Sequence, residues 1–134
     1  MLDLLINIHS VFRWVVLLTA VLAIAVAMMS ATGTRRWGVV GDRSSLFFTI
    51  AMDVQFLVGL LVWVLGQRWQ GDLGLGWLHP LAMLVAVALA HIGRARADRD
   101  RDATSTDKGR QAAIFFTASL LVILIAIPLN SWPV

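Results

Sequence analysis

The chain predicts an all-α fold: an integral-membrane bundle of four helices in up-down-up-down order, with both termini outside. Hydrophobic residues fill 59% of the 134 positions and charged residues only 14%. Mean hydropathy is +0.81, more apolar than a soluble domain of this length needs. The apolar residues fall into four runs separated by charged or Gly-rich stretches, and each crossing takes roughly 20 apolar residues plus a connection. One four-helix domain over residues 1–134 therefore accounts for the chain.

The first run predicts a helix over about 4–30, left through Ala31-Thr32-Gly33-Thr34 and the Arg35-Arg36 pair. No basic segment precedes it and no small-residue cleavage pattern precedes the Arg pair, so it reads as a retained helix, not a signal peptide. Ser44 and Ser45 are good N-cap residues for a second helix over about 44–66. The next connection carries Gly71, Gly74 and Gly76 and predicts sharp turns with little regular structure. A third helix spans about 77–96, with Pro80 in its first turn where the missing N–H does no harm. Residues 97–110 are Arg, Asp, Ser and Thr with scarcely an apolar side chain, a solvated loop. The fourth helix covers about 111–129, closed by Pro128, Asn130 and Pro133.

Orientation follows from the basic residues. Arg35, Arg36 and Arg43 flank the first connection, and Arg94, Arg96, Arg99, Arg101, Lys108 and Arg110 the third, whereas the second holds only Arg68. By the positive-inside rule loops 31–43 and 97–110 are cytoplasmic and both termini lie outside. Trp69, Trp77 and Trp132 are then expected at the outer interface and Trp37 at the inner one, as an aromatic belt. The net charge of +3 is explained by headgroups and orientation, so nucleic acid is not an expected partner; the lipid bilayer is.

The polar cluster Ile8-His9-Ser10-Val11-Phe12-Arg13-Trp14 stands at the mouth of helix 1, where such groups are costly unless they meet something specific. Helices 1 and 3 run in the same direction. Counting about 1.5 Å per residue places His9 and His79 within roughly 5 Å of each other in depth, both near the outer face. In a four-helix bundle these helices are diagonal partners, with axes roughly 13 Å apart. That separation suits a metal held between two imidazoles.

At helical spacing the His9 face continues through Arg13, Val16, Ala20, Ala23 and Ala27, and the His79 face through Ala82, Met83, Ala86, Ala90 and Gly93. Small side chains let membrane helices approach closely. They also clear room for a flat macrocycle whose iron both histidines bind. Arg13 shares the His9 face and either pairs with a propionate or snorkels to the headgroups.

Asp53 falls near the bilayer middle, where an ionised carboxylate must be protonated or partnered. Arg13 and His91 are the available partners, and a structural contact, proton transfer and a quinone contact are the roles open to it. His91 follows His79 by twelve residues, roughly 120° around the helix, which does not stack a second haem beneath the first. Without cysteine, glutamate, HExxH, a serine elbow, a Walker loop or a dinucleotide fingerprint, the chain excludes disulfides, covalent haem attachment, iron–sulfur clusters and common hydrolase and nucleotide chemistry.

His9-Ser10-Val11-Phe12-Arg13-Trp14, Val54-Gln55-Phe56-Leu57-Val58-Gly59-Leu60, His79 and the 120–128 stretch resemble, in this order, a family of small four-helix bacterial membrane proteins labelled cytochrome b-like. The resemblance implies a bacterial cytoplasmic-membrane protein with His9 and His79 as haem b ligands. Asp53 replaces a histidine expected from that pattern, and Leu78 an acidic residue that would orient His79.

Two functions are thus expected. One is an electron carrier without substrate turnover of its own, its haem b held by His9 and His79 with Arg13 at a propionate, exchanging electrons with a quinone pool or a redox subunit. The other is an accessory subunit of a larger respiratory or photosynthetic membrane complex, its histidines serving as interhelical hydrogen-bond groups. A (bacterio)chlorophyll on one histidine is a further option.

Overall fold

An apolar solvent leaves each backbone amide to be satisfied within its own segment, so four apolar runs become four helices. A computed structural model describes residues 1–99 and 104–127. It contains α1 (Leu2–Ala31), α2 (Gly38–Leu65), α3 (His79–Arg99) and α4 (Ser105–Ala126). A 3₁₀ turn at Arg68–Gln70 and a wide π turn at Gly74–Leu78 lead from α2 into α3. All four helices have the length and apolar composition to cross a bilayer, as a multi-pass membrane protein requires.

The helices pack as a bundle. Both α2 and α4 lie against α1, α3 lies against α4 and less extensively against α2, and α1 and α3 face each other across the diagonal. The start of α1 meets the end of α2 through His9 and Gly59, and the start of α4 meets the end of α1 through Gly109 and Ala27. His79, which opens α3, reaches Ala126 at the end of α4. One end of the bundle, termed the head, thus gathers the starts of α1 and α3 with the ends of α2 and α4. The tail gathers the others.

The faces expected beneath the two histidines are the buried ones. Arg13, Val16, Ala20, Ala23 and Ala27 are buried on α1, and Met83, Ala86, Ala90 and Gly93 on α3, with Ala82 half-buried. In the tail half the room their small side chains leave is taken by Phe48, Met52 and Phe116, each 0% exposed. The rings of Phe48 and Phe116 meet edge to face with centres 5.2 Å apart. A Cβ on Gly109 would stand 2.5 Å from the Ala31 nitrogen and 2.6 Å from the Ala27 oxygen, so here backbone touches backbone, as small residues permit. Ser119 ties α4 to α3 by donating to the Ala86 carbonyl at 2.7 Å. Large apolar side chains such as Leu18, Leu57, Leu81 and Leu121 point outward.

Several boundaries differ from expectation. α2 starts at Gly38 instead of 44, because the Ser44 and Ser45 hydroxyls bond back to the Gly41 and Asp42 carbonyls at 3.1 and 2.9 Å. Serine used this way sits inside a helix, not at its cap. α3 continues to Arg99, and α4 starts at Ser105, where the Thr104 side chain accepts the Asp107 amide at 3.1 Å as an N-cap. Much of the expected loops 31–43 and 97–110 is therefore helical. Trp37 is 3% exposed and fills the bundle tail instead of facing an interface. Arg101, Pro128, Asn130, Trp132, Pro133 and the expected end of helix 4 at 129 lie outside the described residues; α4 itself stops at Ala126.

Candidate functional site

His9 and His79 come together at the head. Their ring centres are 6.2 Å apart with planes at 88°. Two metal–imidazole bonds of about 2 Å each, with the radii of two five-membered rings, span roughly 6 Å between centres. The observed ring spacing is of that order.

Each imidazole is held by a different device. For His9 the device is α2. A Cβ on Gly59 would lie 2.9 Å from His9 Cε1 and 3.4 Å from Nδ1, so only glycine lets the ring rest there. One helical turn earlier Gln55, 5% exposed, donates from Nε2 to the His9 carbonyl at 2.8 Å. The i, i+4 spacing puts both residues on one face: Gln55 holds the backbone of His9 and Gly59 makes room for its ring. Nδ1 of His9 and Oε1 of Gln55 are buried with no hydrogen-bond partner among the described residues.

For His79 the device is the end of α4. Its Nδ1 lies 2.9 Å from the Ala126 carbonyl. A carbonyl only accepts, so Nδ1 carries the proton and, in the neutral ring, Nε2 keeps its lone pair. This is the arrangement by which a metal-binding imidazole is oriented through its second nitrogen.

A cavity of about 220 Å³ opens beside the two rings, lined by all four helices and floored by Val16 and Met83. Arg13 lines it at 8% exposure, its guanidinium carbon 5.7 Å from the centre of the Trp14 ring. It is turned into the bundle and does not snorkel. Arg68 lines the same cavity, whereas no acidic side chain does among the described residues. Gln67, in the left-handed region at φ 49°, turns the chain back over the head, and Trp63 donates from Nε1 to the Gly76 carbonyl at 2.6 Å. Trp63 packs edge-on against Trp69 and Trp77, with centres 5.1 and 5.5 Å away. This aromatic knot roofs the cavity.

Arg68, Gln55, Gly59 and Trp63 are site residues that sequence reasoning did not single out. The available signal was the spacing of Gln55 and Gly59 on a single helical face. Arg68 offered none, since its place depends on how the connection folds back.

Asp53 and His91 form a separate pair. His91 Nε2 and Asp53 Oδ1 are 2.7 Å apart across α2 and α3, with side chains 49% and 46% exposed. Of the two partners weighed for Asp53, the structure places His91 against it. Among the described residues no three His, Asp or Glu side chains converge as a metal site.

Compared with protein family models, curated proteins and solved structures, the chain matches none. The likeness to cytochrome b-like proteins rests on the quoted residues alone.

Proposed function

We propose that the chain is a multi-pass membrane haem b protein that carries single electrons, with the head outside and both termini on that side. The observation that carries the reading is the histidine pair: two rings at a centre spacing of 6.2 Å, one with its Nδ1 proton fixed by the Ala126 carbonyl. Haem iron supplies reversible one-electron chemistry when bound through two imidazoles. His9 and His79 would hold the iron, Gln55 and Gly59 would set the ring of His9, and Arg13 and Arg68 would pair with the acidic groups of the cofactor. The enrichment of basic residues toward the tail supports the orientation, and the bacterial cytoplasmic membrane follows from the family resemblance. Electrons would pass to or from a quinone pool or a redox subunit.

A second reading has its own support. The cavity of about 220 Å³ is smaller than the ~300–1,000 Å³ common for small-molecule sites. An accessory subunit of a larger membrane complex needs no more space, and its histidines would act as His79 does toward Ala126, as interhelical hydrogen-bond groups.

A reduced-minus-oxidised visible spectrum of the detergent-purified protein separates the two. The haem reading expects a sharp α-band lost in both His9→Ala and His79→Ala, with helical content unchanged by circular dichroism. A colourless folded wild type, expressed where a control cytochrome loads fully, overturns it and leaves the accessory subunit.

A further inference from the structure

The lining of the head cavity asks for an occupant of particular chemistry. Arg13 and Arg68 both line it, and no acidic side chain does among the described residues. Arg13 is 8% exposed, so its charge acts in a medium that screens it weakly. Two guanidiniums on one cavity repel each other until an anion joins them, and their planar forks suit the oxygens of a phosphate or carboxylate.

The other polar groups narrow the choice. Gln55 lines the same cavity at 5% exposure, and its Oε1 has no hydrogen-bond partner among the described residues. Its Nε2 is committed to the His9 carbonyl, so what Gln55 offers the cavity is an acceptor, and a buried acceptor left alone is costly. His79 adds another, the Nε2 lone pair that its bond to Ala126 leaves. An ionised carboxylate has no proton for either. The occupant must carry hydroxyls as well as negative charge.

Place and size add the rest. The 30 residues of α1 span about 45 Å, the thickness of a bilayer with its headgroup layers. His9, about 10 Å along that length, falls where headgroups give way to acyl chains. Leu60, on the cavity wall, is 42% exposed and gives an apolar way out. At ~30 Å³ for each water-sized group, the 220 Å³ of the cavity holds about seven, the scale of a phosphate with a small polyol.

We propose that the head cavity of the haem-free chain receives the headgroup of an anionic phospholipid whose phosphodiester carries a hydroxyl-bearing polyol, as in phosphatidylglycerol. Arg13 and Arg68 take the phosphate oxygens, Gln55 Oε1 and His79 Nε2 accept from the hydroxyls, and the acyl chains leave past Leu60. The proposal rests on the membrane-spanning reading and not on the haem, with which the lipid would compete for both arginines.

The test uses the full chain in a neutral detergent and counts bound lipid by native mass spectrometry. Short-chain phosphatidylglycerol is titrated beside phosphatidylcholine and phosphatidylmethanol with the same chains, the latter equal in charge but without hydroxyls, and beside soluble glycerol phosphate. The expected result is one saturable phosphatidylglycerol, held about tenfold more tightly than phosphatidylmethanol and more tightly still than phosphatidylcholine, the scale of one buried hydrogen bond for each step. Arg68→Gln should weaken phosphatidylglycerol binding about tenfold. Gln55→Leu should remove most of the preference for phosphatidylglycerol over phosphatidylmethanol, with helical content unchanged by circular dichroism.

Several outcomes in the folded protein overturn the proposal. They are no saturable lipid, equal affinity for phosphatidylglycerol and either of the other lipids, or unchanged affinity in Arg68→Gln. Glycerol phosphate bound as tightly as the lipid would also overturn it, making the cavity a site for a soluble anion. A chain that stays colourless yet binds phosphatidylglycerol breaks the haem reading and leaves this site standing, whereas a chain that loads haem but takes no lipid when haem-free breaks this proposal alone.

Discussion

The head and the tail of the bundle are built on the same two small-residue faces and end differently. In the tail, Ala20, Ala23, Ala27, Ala86 and Ala90 admit Phe48 and Phe116 to the centre, and the backbones of α1 and α4 close up at Gly109. In the head the same faces carry His9, Arg13 and His79, no aromatic ring among the described residues is inserted between them, and a cavity remains. Small residues on a helix therefore do not announce a cofactor. What matters is whether the facing helices bring something to fill the space, and among the described residues the tail receives it.

The contrast can be broken most strongly in the tail. Phe116→Ala removes a fully buried ring. In lipid the transfer part of such a loss largely falls away and the cavity part stays, about 2–3 kcal/mol. Denaturant titration in mixed micelles should show that destabilisation, while the α-band proposed for the head keeps its shape. An unchanged midpoint would mean that the Phe48–Phe116 contact does not hold the tail.

Gly59→Ala probes the head. The added methyl falls 2.9 Å from His9 Cε1, closer than carbons approach, so the imidazole must turn away. Occupancy of the proposed haem site should drop about tenfold, a misplacement near 1.4 kcal/mol, and a shifted α-band should mark what remains, with stability nearly unaltered. Wild-type spectra in this variant would show that α2 does not set the ring of His9.

Ser119→Ala gives the smallest effect. It deletes one hydrogen bond, from Ser119 to the Ala86 carbonyl at 2.7 Å, and interhelical bonds of this kind in membranes average about 0.6 kcal/mol. The same denaturant titration should register that change in the tail and none in the spectrum.

Much of this architecture was legible in the sequence because apolar length and helical period act locally. The four runs became helices, the buried faces of α1 and α3 were the expected ones, and His9 met His79. Helix starts were less legible. Ser44 and Ser45 look like caps in one dimension but bond within a helix, and the polar run before Gln111 hides a true cap at Thr104. Trp37 was misplaced for a related reason, since aromatic belts describe exposed side chains and this indole is buried. The cavity itself was illegible. Its extent depends on Phe48 and Phe116 stopping short of the head and on Arg68 folding back over it, neither of which any single segment encodes.

The bond from His79 to Ala126 makes the length of one helix a determinant of the chemistry of another. A helical carbonyl normally belongs to the amide four residues on, and that of Ala126 is open to an imidazole because α4 ends there. One further turn of α4 would reclaim the oxygen, release the Nδ1 proton and let the ring choose its other tautomer, presenting an N–H where a lone pair now stands. The stop at Ala126 thus acts as a proton address, written at the end of the fourth helix and read at the start of the third.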